Sequence, residues 1–153
     1  NTTLFGIEYR YNPETDQITI IEMNTRMSDR FAEIYEFVNG THLHRLALDI
    51  ACGITPNLPY QTATYTCAAC FFIHEDTDRF VERVPTITER EHILSEIPGA
   101  AIDVDIQSGK HMGASSETVF IYGHTIIKVA GNNYADIMEK YTHIRNQLQF
   151  TFI

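Results

Sequence analysis

The chain has 153 residues, 44% hydrophobic and 20% charged, a globular balance that excludes intrinsic disorder, and no stretch reaches the roughly 20 apolar residues of a membrane span. Twenty acidic against eleven basic side chains give a formal charge of -9, which disfavours a phosphate backbone and excludes nonspecific nucleic-acid binding. Three cysteines cannot all pair within one chain, and no leader-like segment precedes the first strand-like run, so a reducing, cytoplasmic compartment is expected.

The opening Asn1-Thr2-Thr3 runs without a methionine straight into an apolar segment, so a piece of a longer protein is expected. Residues 3–11 are rich in aromatic and β-branched side chains, Asn12-Pro13-Glu14-Thr15-Asp16 supplies turn chemistry, and 17–22 is a second strand-like run, so a hairpin is predicted. Ser28 or Asp29 can cap a helix that carries Phe31, Ile34, Tyr35 and Val38 on one face and stops at Gly40. A second helix is predicted over 41–51, with Leu43, Leu46, Ala47, Ile50 and Ala51 on one face and Gly53 as its left-handed end. Pro56 and Pro59 break that pattern.

From Gln61 the composition shifts to Thr, Tyr, Ala and Phe, which predicts a strand reaching His74, a turn over 75–78 and a further strand over 79–84. Thr88-Glu89-Arg90-Glu91 reads as a capping box opening a short helix that Pro98-Gly99 ends. Strands are predicted over 100–107, 118–122 and 125–130, with a glycine-bearing loop over 108–116. A last helix spans about 133–148, with Ile137, Met138, Tyr141, Ile144 and Leu148 in one stripe. The chain thus divides into residues 1–60 and residues 61–153.

The chemistry concentrates in the hairpin. With its turn centred on Thr15, opposed residues have numbers summing to thirty, which sets Glu8 across from Glu22. Such a like-charge pair destabilises a sheet unless a proton or a cation is shared between the carboxylates. If the backbone stays extended, Glu22, Asn24 and Arg26 also project to one side. Two carboxylates and an amide oxygen are hard ligands suited to Mg²⁺ or Mn²⁺, and an adjacent arginine suits a planar oxyanion. The competing reading is a solvated polar face neutralised by Arg10 or Arg26.

The segment Glu22-Met23-Asn24-Thr25-Arg26, followed by a helix, by Gly40-Thr41-His42-Leu43 and by the run from Leu46 to Gly53, resembles the end of the ATP-grasp domain of biotin carboxylase and its relatives, among them carbamoyl phosphate synthetase and the amino-acid ligases. Residues 121–148, with a strand, Gly131 and a terminal helix, more loosely resemble the small C-terminal β domain of that group. The resemblance implies an α+β chain: the C-terminal subdomain of an ATP-grasp fold, then a mainly antiparallel β subdomain with a terminal helix. It further implies that Glu8, Glu22 and Asn24 are metal- and nucleotide-binding residues and that Arg26 is catalytic, steadying a phosphorylated carboxylate. ATP and Mg²⁺ or Mn²⁺ would be the cofactors. A small carboxylate and a nucleophile would be the substrates, joined through an acyl phosphate.

Two departures bound that inference. Biotin carboxylase carries a Glu-His pair after the arginine, whereas this chain reads Met27-Ser28-Asp29-Arg30-Phe31, which argues against biotin carboxylation. The nucleotide-gripping lid and the preceding α/β domain of the family have no counterpart in the sequence, so this piece alone is expected to be inactive, with the missing N-terminal domains as its partners. From another class, the chain reads as a stand-alone binding or dimerisation module, and a homodimer is one way to cover an exposed apolar face. Arg30 reads either as a receptor for a substrate carboxylate or as a helix-surface residue. Cys67 and Cys70 fall on opposite faces of a strand and read as small buried hydrophobes. His42 and His44, two apart on a helix, cannot share a face, and Lys110-His111 reads as a solvated turn.

Overall fold

The structure, a computed structural model, describes residues 3–56, 58, 63–114 and 122–153. Eight strands and four α-helices follow one another along these residues. All strand pairings are antiparallel, in three sheets. The mixed α+β class expected from the sequence is the one observed. The boundary expected near residue 60 and residues 118–121 of an expected strand lie outside the described residues.

The first unit is the hairpin of β1 (Gly6–Asn12) and β2 (Gln17–Asn24). After it the chain bends at Thr25 and Arg26 and enters a single 3-10 turn, Asp29–Phe31. Helix α1 (Ala32–Asn39) starts only after that turn, and no side chain caps it, so the cap expected from Ser28 or Asp29 is not made. Gly40 ends α1 in the left-handed region (φ 69°), as its position predicts. Helix α2 (Leu43–Ala51) is two residues shorter at its start than expected. The reason is His42, which sits outside the helix in an extended conformation and accepts the Arg45 backbone N–H through Nδ1 at 3.3 Å. His42 and His44 are therefore not two helix-face residues, and their rings meet edge to face at 5.8 Å.

The central sheet orders β3 (Cys67–His74), β7 (Gly123–Gly131) and β5 (Ala100–Val104), with β7 in the middle. Because β7 has strands on both edges and helices over both faces, eight of its nine residues are buried. On one face Ile73, Ile102, Ile127 and Val129 pack with Ile93 and Ile97 from α3 (Ile87–Glu96) and its end, and with Ile137, Ile144 and Leu148 from α4 (Tyr134–Gln147) and its end. Phe71 stacks on Tyr141 there at 4.0 Å. Helix α1 covers the opposite face, against β3 and β7. Cys67 and Cys70 accordingly lie three positions apart on one strand; Cys67 joins the α3/α4 core and gives its thiol hydrogen to the Gly131 carbonyl at 3.3 Å. Burial pushes the Cys70 thiol pKa up, as a small packed hydrophobe requires.

The capping box of α3 is made by Thr86 and Glu89, two residues earlier than the Thr88 pattern predicts. Thr86 Oγ1 accepts the Glu89 N–H at 3.2 Å and Glu89 accepts the Thr86 N–H at 2.8 Å. Both Thr-x-x-Glu registers are present in the sequence, and Pro85 selects the first because it holds the chain extended just ahead of Thr86. The expected 108–116 loop contains structure: β6 (Lys110–His111) pairs with β4 (Phe80–Arg83), which also carries the terminal β8 (Thr151–Phe152). Met112, next to β6, is buried with Val81 and Ile106 in a second small core. Tyr134, the first residue of α4, is 78% exposed.

Candidate functional site

Period-two alternation makes the hairpin two-faced. In β1, Gly6, Glu8, Arg10 and Asn12 alternate with Ile7, Tyr9 and Tyr11. Glu8 is the Cα partner of Glu22, and Gly6 is the partner of Asn24, so the two carboxylates and the amide rise from the same face. Near the turn, however, opposed residues sum to twenty-nine, as Tyr9 with Ile20 and Asn12 with Gln17. The register shifts between Glu8 and Tyr9, where Ile21 is the extra residue of a β-bulge. Without it the second strand reads Gln-Ile-Thr-Ile-Glu-Met-Asn, an unbroken alternation.

Arg26 does not reach the site along an extended strand. The chain bends at Thr25 and Arg26, and a Cβ on Gly6 would lie 3.9 Å from the Arg26 carbonyl, so the bend folds the backbone back over the start of β1. Glu8, Asn24 and Arg26 line one cavity of about 450 Å³ whose other walls include Phe5, Met27, Phe31 and Tyr35. Glu22 is opposite Glu8 but does not line that cavity. Arg30, on the 3-10 turn, turns away from it and stacks over Phe72 with its guanidinium 5.6 Å from the ring centre.

Among the described residues no three His, Cys, Asp or Glu side chains are gathered as a metal cluster. The donor set available at the hairpin is two carboxylates and one amide oxygen. That set fits a hard cation which retains water and takes further oxygen ligands from a nucleotide. It does not fit a soft ion needing thiolate or imidazole. The remaining sequence candidates lie elsewhere: His44 bonds Asp29 at 2.6 Å, and Lys110 and His111 sit on the exposed β6, with His111 3.4 Å from Asp78.

Residues 3–58 match the family model described as carbamoyl-phosphate synthase L chain, ATP binding domain. The matched segment is the one whose residues resemble the end of an ATP-grasp domain. It contains the hairpin, the Arg26 bend and both following helices. No curated protein matches the chain in sequence.

Solved structures extend the ATP-grasp likeness in fold over nearly the whole chain. The urea carboxylase of Kluyveromyces lactis superposes with a TM-score of 0.67 at 17% identity, over 97% of this chain and 13% of that one. A single-chain, multi-domain long-chain acyl-CoA carboxylase gives 0.68 at 15%, over 98% and 17%. The L-amino acid ligase from Bacillus licheniformis gives 0.63 at 13%, over 97% and 36%. The chain thus spans little more than a third of the ligase and less of the carboxylases, and at these identities the likeness is one of fold.

A second polar cavity escaped the sequence reading. It lies between the 3-10 turn, α1 and the edge of the central sheet, and Lys128 forms part of it. The signal was a lone charge in the apolar run Ile126-Ile127-Lys128-Val129-Ala130. A lysine there must find partners, and it does: Nζ donates to Glu33 at 2.7 Å and to Asp103 at 2.9 Å.

Proposed function

We propose that the chain is part of an ATP-dependent, Mg²⁺-requiring ligase that joins a carboxylate to an amine or related nucleophile through an acyl phosphate. Glu8, Glu22 and Asn24 would hold the divalent cation, which supplies charge neutralisation at the nucleotide phosphates. Arg26 would present its guanidinium fork to the oxygens of the activated carboxylate, where negative charge develops during transfer. Phe5, Phe31 and Tyr35 form the apolar part of the same cavity wall as Glu8, Asn24 and Arg26.

The observation that carries this reading is the placement of Glu8 opposite Glu22, with Asn24 and Arg26 at the same end of the hairpin, inside the segment that matches an ATP-binding domain. The exposed apolar face of that hairpin supports the incomplete-enzyme reading. Tyr9, Ile18, Ile20 and Met23 are each more than half exposed, and an isolated two-stranded sheet is marginal in water. The missing N-terminal domains would cover that face, and the chain alone would be inactive. The division near residue 60 belongs to the same proposal, as does a cytoplasmic location; among the described residues no helix is long and apolar enough to cross a membrane.

The test is Glu22→Gln in the intact enzyme. Phosphoryl transfer is expected to be lost while the circular dichroism spectrum and thermal midpoint stay unchanged, and an unimpaired variant would reject the assignment.

A further inference from the structure

His124 is the extra residue of a second β-bulge. In the β3–β7 ladder Ile73 pairs with Thr125 and His74 with Gly123, so His124 has no partner across the strand. Its side chain is 1% exposed, and the rings of Phe150 and Phe152 close over it edge to face at 4.8 and 5.5 Å. Nδ1 meets the Thr125 hydroxyl at 2.8 Å, whereas the buried Nε2 has no hydrogen-bond partner among the described residues. A neutral ring leaves one polar atom unpaired there, but an imidazolium would add a buried charge. The surroundings offer that charge little. Glu75, in the turn after β3, is the one group that favours it, with Oε1 4.0 Å from Nε2; His74 at the end of β3 and Arg145 on α4 oppose it. Arg30 and Asp105 share a small cavity wall with the ring, and Asp105 gives its backbone N–H to the His124 carbonyl at 3.0 Å.

Glu75 is not free to answer the charge, because its Oε2 accepts Arg79 Nη1 at 3.1 Å. The same Arg79 holds the segment that closes over the ring. Its Nη2 donates to the Phe152 carbonyl at 3.2 Å, and its guanidinium lies 5.1 Å from the centre of the Phe152 ring. Residues 149–153 are otherwise held by the two-residue pairing of β8 with β4, by the mutual backbone bonds of Phe80 and Ile153, 3.0 Å each, and by Arg83 on the Gln149 carbonyl at 2.6 Å. Strand β7, by contrast, is paired along both edges. The segment 149–153 is thus the wall around His124 that costs least to open. We infer that residues 149–153 form an acid-released strap: a proton taken from solvent by His124 draws Glu75 from Arg79, the hold of Arg79 on Phe152 slackens, and β8 peels from β4 while the central sheet stays folded. Opening brings the imidazolium to water. It also uncovers Val81, Ile106 and Met112, the small core against which Phe150 and Phe152 pack.

The experiment is amide hydrogen exchange of the full chain, followed by NMR from about pH 7 to about pH 5 in low urea and corrected for the intrinsic pH dependence of exchange. Local opening exposes little surface, so its free energy barely changes with urea, whereas global unfolding responds steeply. The Phe80 and Ile153 amides are expected to lose about tenfold or more of their protection by about pH 5, through openings nearly independent of urea. Ile127 and Val129, in the middle of β7, should stay better protected and open only with a steep urea dependence. In His124→Gln the acid loss at Phe80 and Ile153 should vanish. In the unaltered chain that loss should follow the titration of the His124 Cε1–H resonance, which decides the matter if the variant fails to fold. One shared protection factor and urea dependence for strap and β7 amides at about pH 5 would overturn the inference. So would strap protection that persists in acid, a loss out of step with the His124 titration, or an undiminished loss in folded His124→Gln.

Discussion

Glu8 and Glu22 face each other across the β1–β2 hairpin because Ile21 is inserted as an extra residue between the turn and the carboxylate pair. The bulge does two things. It keeps Ile18, Ile20 and Met23 on one face and Glu22 and Asn24 on the other, although the sequence doubles an isoleucine between them. It also adds local twist at the position where the carboxylates leave the sheet, a common way of aiming side chains at a site.

His124 gives the fold an acid-sensitive point. It is 2% exposed, its Nε2 lies 4.0 Å from Glu75 Oε1, and the rings of Phe150 and Phe152 flank it. Burial lowers its pKa from 6.5 to about 4, against the opposing pull of Glu75. Between those values the unfolded chain binds the proton and the folded chain does not, so stability falls as pH falls. The contribution is whole above 6.5 and gone by about pH 4, and the gap corresponds to roughly 3 kcal/mol. Urea midpoints taken across this range should drop steeply for the native chain and less steeply for His124→Gln. Parallel profiles would remove His124 as the cause.

Lys128 ties α1 to the central sheet at a side-chain exposure of 4%, and its pKa is raised although burial opposes the charge, because Glu33 and Asp103 both bond it. Lys128→Met removes the shared cation and leaves two carboxylates that are still partly in water. The expected cost is about 1 to 3 kcal/mol, below the full penalty of a stranded buried charge. Glu33→Gln should cost less, since Asp103 remains. Equilibrium urea unfolding checks both, and equal losses would mean that the ion pairs do not set the stability.

Gly99 ends the turn after α3 with φ 81°, and a Cβ there would stand 2.5 Å from the Tyr65 ring. Gly99→Ala therefore combines left-handed strain with a clash and should cost at least about 2 kcal/mol. Tyr65→Ala in the same chain should return part of that loss by removing the ring. A thermal midpoint unchanged in the single variant would contradict this account of the turn.

Much of the fold was legible because local chemistry and tertiary packing agree. Gly40 and Gly53 end their helices in the left-handed region, and in the last helix the stripe Ile137, Ile144, Leu148 is the buried one. The misses have separate causes. Thr86 and Thr88 offer competing capping registers, and only the neighbouring proline discriminates. Strands β6 and β8 are two residues each and owe their existence to β4, a pairing with no local signature. At the site, the Glu8–Glu22 pairing was inferred from a turn-centred register that holds only beyond the bulge, and the doubled Ile20-Ile21 was its unread sign. Arg26 reaches its cavity by a bend where an extended strand was expected. The polar cavity at Lys128 is lined by Arg30 and Arg90, sixty positions apart, and was invisible to spacing.

The most direct test of the central claim is a Mn²⁺ titration of the intact enzyme in the presence of ATP, followed by paramagnetic broadening of assigned resonances. The account predicts selective broadening at Glu8, Glu22 and Asn24, and its loss in a Glu8→Gln/Glu22→Gln double variant that still binds nucleotide. Broadening centred elsewhere, or persisting unchanged in the double variant, would contradict it.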